Sequence, residues 1–320
     1  MRTPLPLIAV LAGGTLLAGC GLGDAPPTGV SAGSLAEAGD LSDVTLTVGG
    51  KEFTEQLILC ELAAQSLESA GAEAGRECGM SGSNTVRAAL EGGSIDLYWE
   101  YTGTGWINYL GETEAPSDPQ ELYETLAERD AENGVSWLAP SPANNTYAVA
   151  VNRENAEEFG VQTLSDYAAL ANEDPEAASF CGAAEFFGRE DGWPGLQEAY
   201  GFELPGSATS ELALGVIYNS VDNADPCNFG EVFATDGRNA ALDLVVLEDD
   251  QQFFTAYNPS VSVRSEVLEQ TPQIADVLAP VSEALDDDTL QALNARVDVD
   301  GDTPEQVVTD WLRENGFIGD

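Results

Sequence analysis

Three short runs hold the residues best suited to chemistry. The densest is Asp96-Leu-Tyr-Trp-Glu-Tyr-Thr-Gly-Thr-Gly105, with Tyr98, Trp99 and Tyr101 inside four positions. Thr102 and Thr104 add hydroxyls, and Gly103 and Gly105 permit close backbone approach. Tyr98 and Trp99 must face opposite sides of a strand, so one or two of these rings serve packing. The second run is Asn144-Asn145-Thr146-Tyr147, and the third is Glu185-Phe-Phe-Gly-Arg189. A lone arginine beside aromatics can hold a carboxylate bidentately, or it can pair with Glu185 or Asp191. Phe233, ahead of Ala234-Thr-Asp-Gly237, and Tyr257, after Phe253-Phe254, complete the candidate rings. This set suits binding; no catalytic constellation stands out.

The elements around these runs predict an α/β body. Val44 to Val48 alternates as a strand and is expected to stop at Gly49-Gly50, and Phe53 to Ser69 carries the apolar period of a helix. A short strand around Arg76–Met80 follows. Ser81, Ser83 or Asn84 is expected to cap the next helix, and Gly92-Gly93 ends it before a strand at Ile95–Tyr98. This β-α-β-α-β order implies a parallel sheet covered by helices, with ligands beyond the strand ends. Asn145–Val151 leaves the first lobe and Val261–Arg264 returns, before a mainly helical tail. The expected division is 43–146 with 262–320 as one lobe and 147–261 as the other, with the two crossing strands as a hinge.

Composition narrows the function. The chain has 320 residues, 11 Lys plus Arg against 56 Asp plus Glu, no histidine, and a formal charge of -45. That charge repels nucleic acid and anionic lipid headgroups and is read as a solubilising surface. Without histidine there is no His-based triad, His-metal site or imidazole proton shuttle. No metal or cofactor is expected. Setting Cys20 aside leaves Cys60, Cys78, Cys181 and Cys227. Three pairings are possible; sequence order and the lobe division favour Cys60–Cys78 and Cys181–Cys227 in an exported protein.

Export is indicated by the N-terminus. Arg2 precedes an apolar stretch from Leu5 to Ala18 that is too short to span a bilayer stably, and Leu17-Ala18-Gly19-Cys20 resembles a lipobox. The expectation is a signal peptide over 1–19, acylation at Cys20, and a flexible lipid-anchored tether over 20–42, rich in Gly, Ala, Ser, Pro and Asp.

Gly49-Gly50-Lys51-Glu52-Phe53-Thr54-Glu55-Gln56-Leu57-Ile58-Leu59 resembles the opening motif of substrate-binding proteins of osmoprotectant ABC importers. The likeness continues through Ile95–Gly105, Asn145–Ala148, Glu185–Arg189 with Asp191-Gly192, Thr235-Asp236-Gly237 and Asp249–Tyr257. It covers residues 44 to 318 in order. The resemblance implies a two-lobe periplasmic-binding-protein-like fold of type II, with a ligand cleft between the lobes. It also implies a small quaternary ammonium ligand, such as glycine betaine, choline or carnitine, and permease subunits as partners.

By motif position, Tyr101, Tyr147 and Tyr257 resemble three rings of an aromatic box, and Phe233 stands where a fourth is usually tyrosine. Arg189 and Thr104 resemble groups that hold a betaine carboxylate, Lys51 a cleft-side lysine, and Glu185 belongs to the same site. A quaternary ammonium has no N–H to donate, so ring faces hold it, at very roughly 0.5–2 kcal/mol each. The competing expectations are another small cation or an amino acid as cargo, or a tethered carboxylate-dependent hydrolase using Asp96, Glu100, Glu185 or Asp236.

Overall fold

The computed structural model describes residues 31–112 and 115–319, so the expected signal peptide and Cys20 lie outside the described residues. The described residues form twelve strands: β1 (Ser31–Ala32), β2 (Thr45–Lys51), β3 (Glu73–Met80), β4 (Leu97–Tyr101), β5 (Val135–Trp137), β6 (Tyr147–Asn152), β7 (Phe180–Gly182), β8 (Thr209–Glu211), β9 (Phe229–Phe233), β10 (Leu244–Val246), β11 (Pro259–Arg264) and β12 (Ile318–Gly319). Two five-stranded sheets result, ordered β3-β2-β4-β11-β5 and β10-β6-β9-β7-β8. In the first, β2 runs parallel to β3 and β4 while β11 is antiparallel to β4 and β5. In the second, β6 is antiparallel to both β9 and β10, whereas β7 is parallel to β8 and β9. Each sheet therefore receives the chain from the other through its reversed strand.

The two crossings are hydrogen-bonded to each other. The Asn145 N–H donates to the Tyr257 carbonyl at 3.1 Å, and the Tyr257 N–H donates to Asn144 Oδ1 at 2.7 Å. The crossing is made by these loop residues rather than by strands. β6 and β11 each lie wholly in one sheet, and Pro259 already pairs with Tyr101 of the first. The expected boundary at 261/262 thus falls inside β11; the return is complete before Pro259.

Two other expectations need correction. The tether does not extend to residue 42: β1 pairs with β12, and Leu35 and Leu41 are buried in the first lobe's core. Two isolated leucines gave no period to read, but the tertiary structure supplies them an apolar site. Nor does β2 stop at Gly49-Gly50; it runs to Lys51 with a register shift. A Cβ on Gly49 would lie 2.3 Å from Ile95 Cδ1, and one on Gly50 3.1 Å from Cys60 Cβ. These glycines mark close packing on the sheet, not the end of a strand.

The helix Thr54–Ser69 covers the first sheet, and the C-terminal helices Gln273–Ala284, Asp287–Asp298 and Pro304–Glu314 complete that lobe around Ile58, Leu62, Val277, Leu290 and Val308. Cys60–Cys78 ties this helix to β3, and Cys181–Cys227 ties β7 to the segment before β9. Each lobe therefore carries one disulfide.

Candidate functional site

A cavity of about 930 Å³ opens between the lobes where both sheets present strand ends to the crossings. Tyr101 closes β4, and Phe53 precedes the helix after β2. Tyr147 begins β6 directly opposite Phe233, the last residue of β9, so cross-strand register places their rings 5.2 Å apart. Phe53 lies 5.1 Å from Phe233 and 6.2 Å from Tyr101, and Tyr257 meets Tyr147 edge-on at 5.6 Å. Gly103 makes room for this, since a Cβ there would stand 2.7 Å from the Tyr257 ring. All five rings line the cavity. The four ring residues singled out from the sequence are brought together; Phe53 was missed. Its only signal was its place just beyond a strand end, inside a motif that also reads as an ordinary helix start.

The remaining rings of the Asp96–Gly105 run are core. Tyr98 and Trp99 are buried on opposite sides of β4. Thr104 and Lys51 line the cavity. Lys51 Nζ donates to Glu100 Oε1 at 2.6 Å and stands 5.1 Å from the Tyr101 ring centre.

Arg189 is placed behind the cavity wall, with four of its five N–H donors engaged. Its guanidinium forks onto Asp191, Nη1 donates to Glu185 Oε1 at 2.9 Å, and Nη2 reaches Thr104 Oγ1 at 3.4 Å. It also lies 5.7 Å from the Tyr147 ring centre. The arginine thus braces Tyr147 and joins the lobes. Glu185 likewise bridges them, accepting from Ser83 Oγ at 2.6 Å and from the Ser83 N–H at 3.2 Å. This carboxylate from the other lobe, together with Glu52, serves the helix start at Ser83, where a local serine or asparagine cap was expected. Burial works against ionisation of Glu185, but Lys51, Ser83 and Arg189 hold its carboxyl down to about 2.

Two buried acids escaped the sequence reading because nothing local distinguishes them. Glu55 accepts from Tyr101 Oη, Asn145 Nδ2, Thr235 Oγ1 and Asn294 Nδ2, at 2.6–2.9 Å. Burial raises its pKa despite those donors. Glu231, 2% exposed on β9, lines the cavity and accepts from the Ala183 N–H at 2.7 Å. In all, Glu52, Glu185, Glu211, Glu231 and Asp298 line the cleft against Lys51 and Arg238. Asp96, Glu100 and Asp236 are tied to Arg264, Lys51 and Arg238, which leaves none of them free as a catalytic acid.

Two α/β lobes, each entered through a reversed strand, with a ring-lined cleft at the crossing, define a two-lobe solute-binding protein. Comparison with known proteins narrows the class. The chain belongs to the family described as the substrate binding domain of ABC-type glycine betaine transport systems, which matches residues 44–314. It is 39% identical over 297 residues to a glycine-betaine-binding protein of Pseudomonas aeruginosa, covering 91% of this chain and 93% of that one. It is 36% identical over 278 residues to the glycine betaine-binding protein YehZ of Escherichia coli K12, covering 84% and 90%. The solved structure of apo YehZ from Escherichia coli matches with a TM-score of 0.62 at 34% identity, over 86% of this chain and 99% of that one. As a member of this family the chain is an extracytoplasmic transport protein and not an enzyme.

Proposed function

We propose that the interlobe cleft captures a small quaternary ammonium osmoprotectant of the glycine betaine, choline or carnitine type and delivers it to the permease subunits of an ABC importer. The observation that carries this is the convergence of Phe53, Tyr101, Tyr147, Phe233 and Tyr257 on one cavity, drawn from both lobes and a crossing segment. Ring faces attract a methylated cation and cover its methyl groups without needing a hydrogen bond from it. The acidic excess of the cleft favours a cation over an anion. Lys51 and Thr104 are the cleft-side groups nearest in type to what a zwitterion's carboxylate needs, while Arg189 and Glu185 hold the lobes around it. The relatives named for glycine betaine binding support the same class of ligand. Cys20, after Leu17-Ala18-Gly19, is the acylation site that tethers the protein at the membrane's outer face.

Calorimetric titration of the purified soluble body with glycine betaine, choline and carnitine tests this reading. Saturable binding of at least one, with a compaction of the scattering profile, is expected. Absence of binding to every methylated amine in the set overturns it.

A further inference from the structure

Glu100 is fully buried behind the cavity, yet it is the partner of a cleft cation. Val48 pairs with Leu97 on neighbouring parallel strands, so Lys51 and Glu100, three residues further along each, come side by side near the ends of β2 and β4. Gln56 secures this junction: its Oε1 accepts the Lys51 N–H at 3.1 Å, and its Nε2 donates to the Trp99 carbonyl at 2.9 Å. Glu100 Oε1 takes Lys51 Nζ at 2.6 Å and the Tyr101 N–H at 2.8 Å, while Oε2 takes the hydroxyls of Tyr98 and Tyr109. Burial and the Glu100 charge push both phenols well above their ordinary range, so they remain donors.

The charge that Glu100 cancels matters to a ligand. Lys51 Nζ lies 5.1 Å from the centre of the Tyr101 ring, which lines the cavity. A bare ammonium there repels a second cation stacked on the same rings. Glu185 also acts on Lys51, but it comes from the opposite lobe and its oxygens are taken by Ser83 and Arg189. Glu100 shares a sheet with Lys51, so their pairing does not depend on closure of the lobes.

We propose that Glu100 is a positioning residue that sets cargo specificity through Lys51. By holding and neutralising that ammonium, it lets the ring cluster accept ligands of net positive charge, such as choline, beside zwitterions such as glycine betaine. This rests on the ring cluster holding the methylated nitrogen. A zwitterion brings a carboxylate that can meet Lys51 itself; a choline-type cation brings none and depends on the counter-charge in the protein.

Glu100→Gln isolates the charge. Its amide oxygen can still accept from Lys51 and the Tyr101 N–H, and its NH2 can donate to the Tyr98 and Tyr109 hydroxyls, with the Ser83 carbonyl left to accept from Tyr109 at 3.1 Å. In calorimetry, this variant is expected to lose at least about tenfold more affinity for choline than for glycine betaine, whereas a purely structural role weakens both alike. Lys51→Met combined with Glu100→Gln removes both charges and should return choline to within about threefold of the wild-type affinity. Thermal unfolding confirms that the variants are folded, and the double variant carries the test if the single one does not fold. A choline-to-betaine ratio within about twofold of wild type in Glu100→Gln, or choline still lost in the double variant, overturns the proposal alone. So does a wild type that binds glycine betaine but not choline. Failure of the wild type to bind glycine betaine, choline or carnitine overturns the ring-cluster reading as well.

Discussion

Thr235 of the second lobe donates its hydroxyl to Glu55 of the first at 2.6 Å, and the same carboxyl takes Asn145 from the crossing at 2.8 Å. One buried acid therefore ties both lobes to the crossing, and through Tyr101 Oη at 2.8 Å it also fixes a ring of the cleft. Removing that carboxyl orphans four donors at once. Glu55→Ala should cost several kcal/mol, and Thr235→Val about 1 kcal/mol. Urea unfolding of the two variants measures both; equal, small losses would show that the bonds carry no net stability.

Rings matter in a different way from bonds. Tyr147→Ala, Tyr257→Ala and Phe53→Ala should each weaken every quaternary amine by about tenfold or more. Tyr257→Phe keeps the ring but loses the 2.6 Å hydrogen bond to Asp191, so it should fall well short of the alanine variant. Affinities from calorimetry decide this, and a Phe variant as weak as Ala would shift the role of Tyr257 to its hydroxyl.

Arg189 is bonded to Asp191, Glu185 and Thr104, so its loss should appear first in stability. Arg189→Ala leaves buried Asp191 without its counter-ion, held only by the Tyr257 hydroxyl, at a cost of about 3 kcal/mol, and Asp191→Ala added to it should recover part of that. Such a pattern in a double-mutant cycle marks a brace between the lobes. A variant of native stability that loses glycine betaine but retains choline would instead make Arg189 a reader of the ligand carboxylate.

The pH dependence of Glu231 has a definite sign. Its carboxyl ionises near the ordinary 4.5 when unfolded but only near 8 in the fold, where Ala183, Glu185, Arg189 and Tyr147 surround it. Between those values the native state keeps a proton that the unfolded state has lost, so stability falls as pH rises through this window. Glu231→Gln escapes the loss, and its stability relative to wild type should grow by a few kcal/mol from pH 4.5 to 8. A difference flat across that range, in denaturation at both ends, would falsify the assignment.

Much of the fold was legible because local signals agreed with it. The alternation at Val44–Val48, the helical period through Leu57, Leu62 and Leu67, and Gly92-Gly93 before Ile95 each predicted an element that forms close to its expected place. Errors arose where a residue type has two meanings. Gly49 and Gly50 read as a strand end but serve close packing, and the Gly- and Ala-rich stretch after Cys20 concealed Leu35 and Leu41, which are buried in the first lobe's core, with Leu41 bonded to Ala70 and Leu35 to Phe317.

The sequence by itself determined the α/β order, the binding rather than catalytic character of the site, and four of its rings, since those depend on residue type and short spacing. Only the tertiary structure decided that Phe53 joins them, that Arg189 is bonded to both lobes, and that Glu55 and Glu231 are buried acids. Those properties arise where segments far apart in the chain meet, as Glu55 meets Asn294. Burial and the count of available donors exist for a carboxyl only after that meeting has occurred.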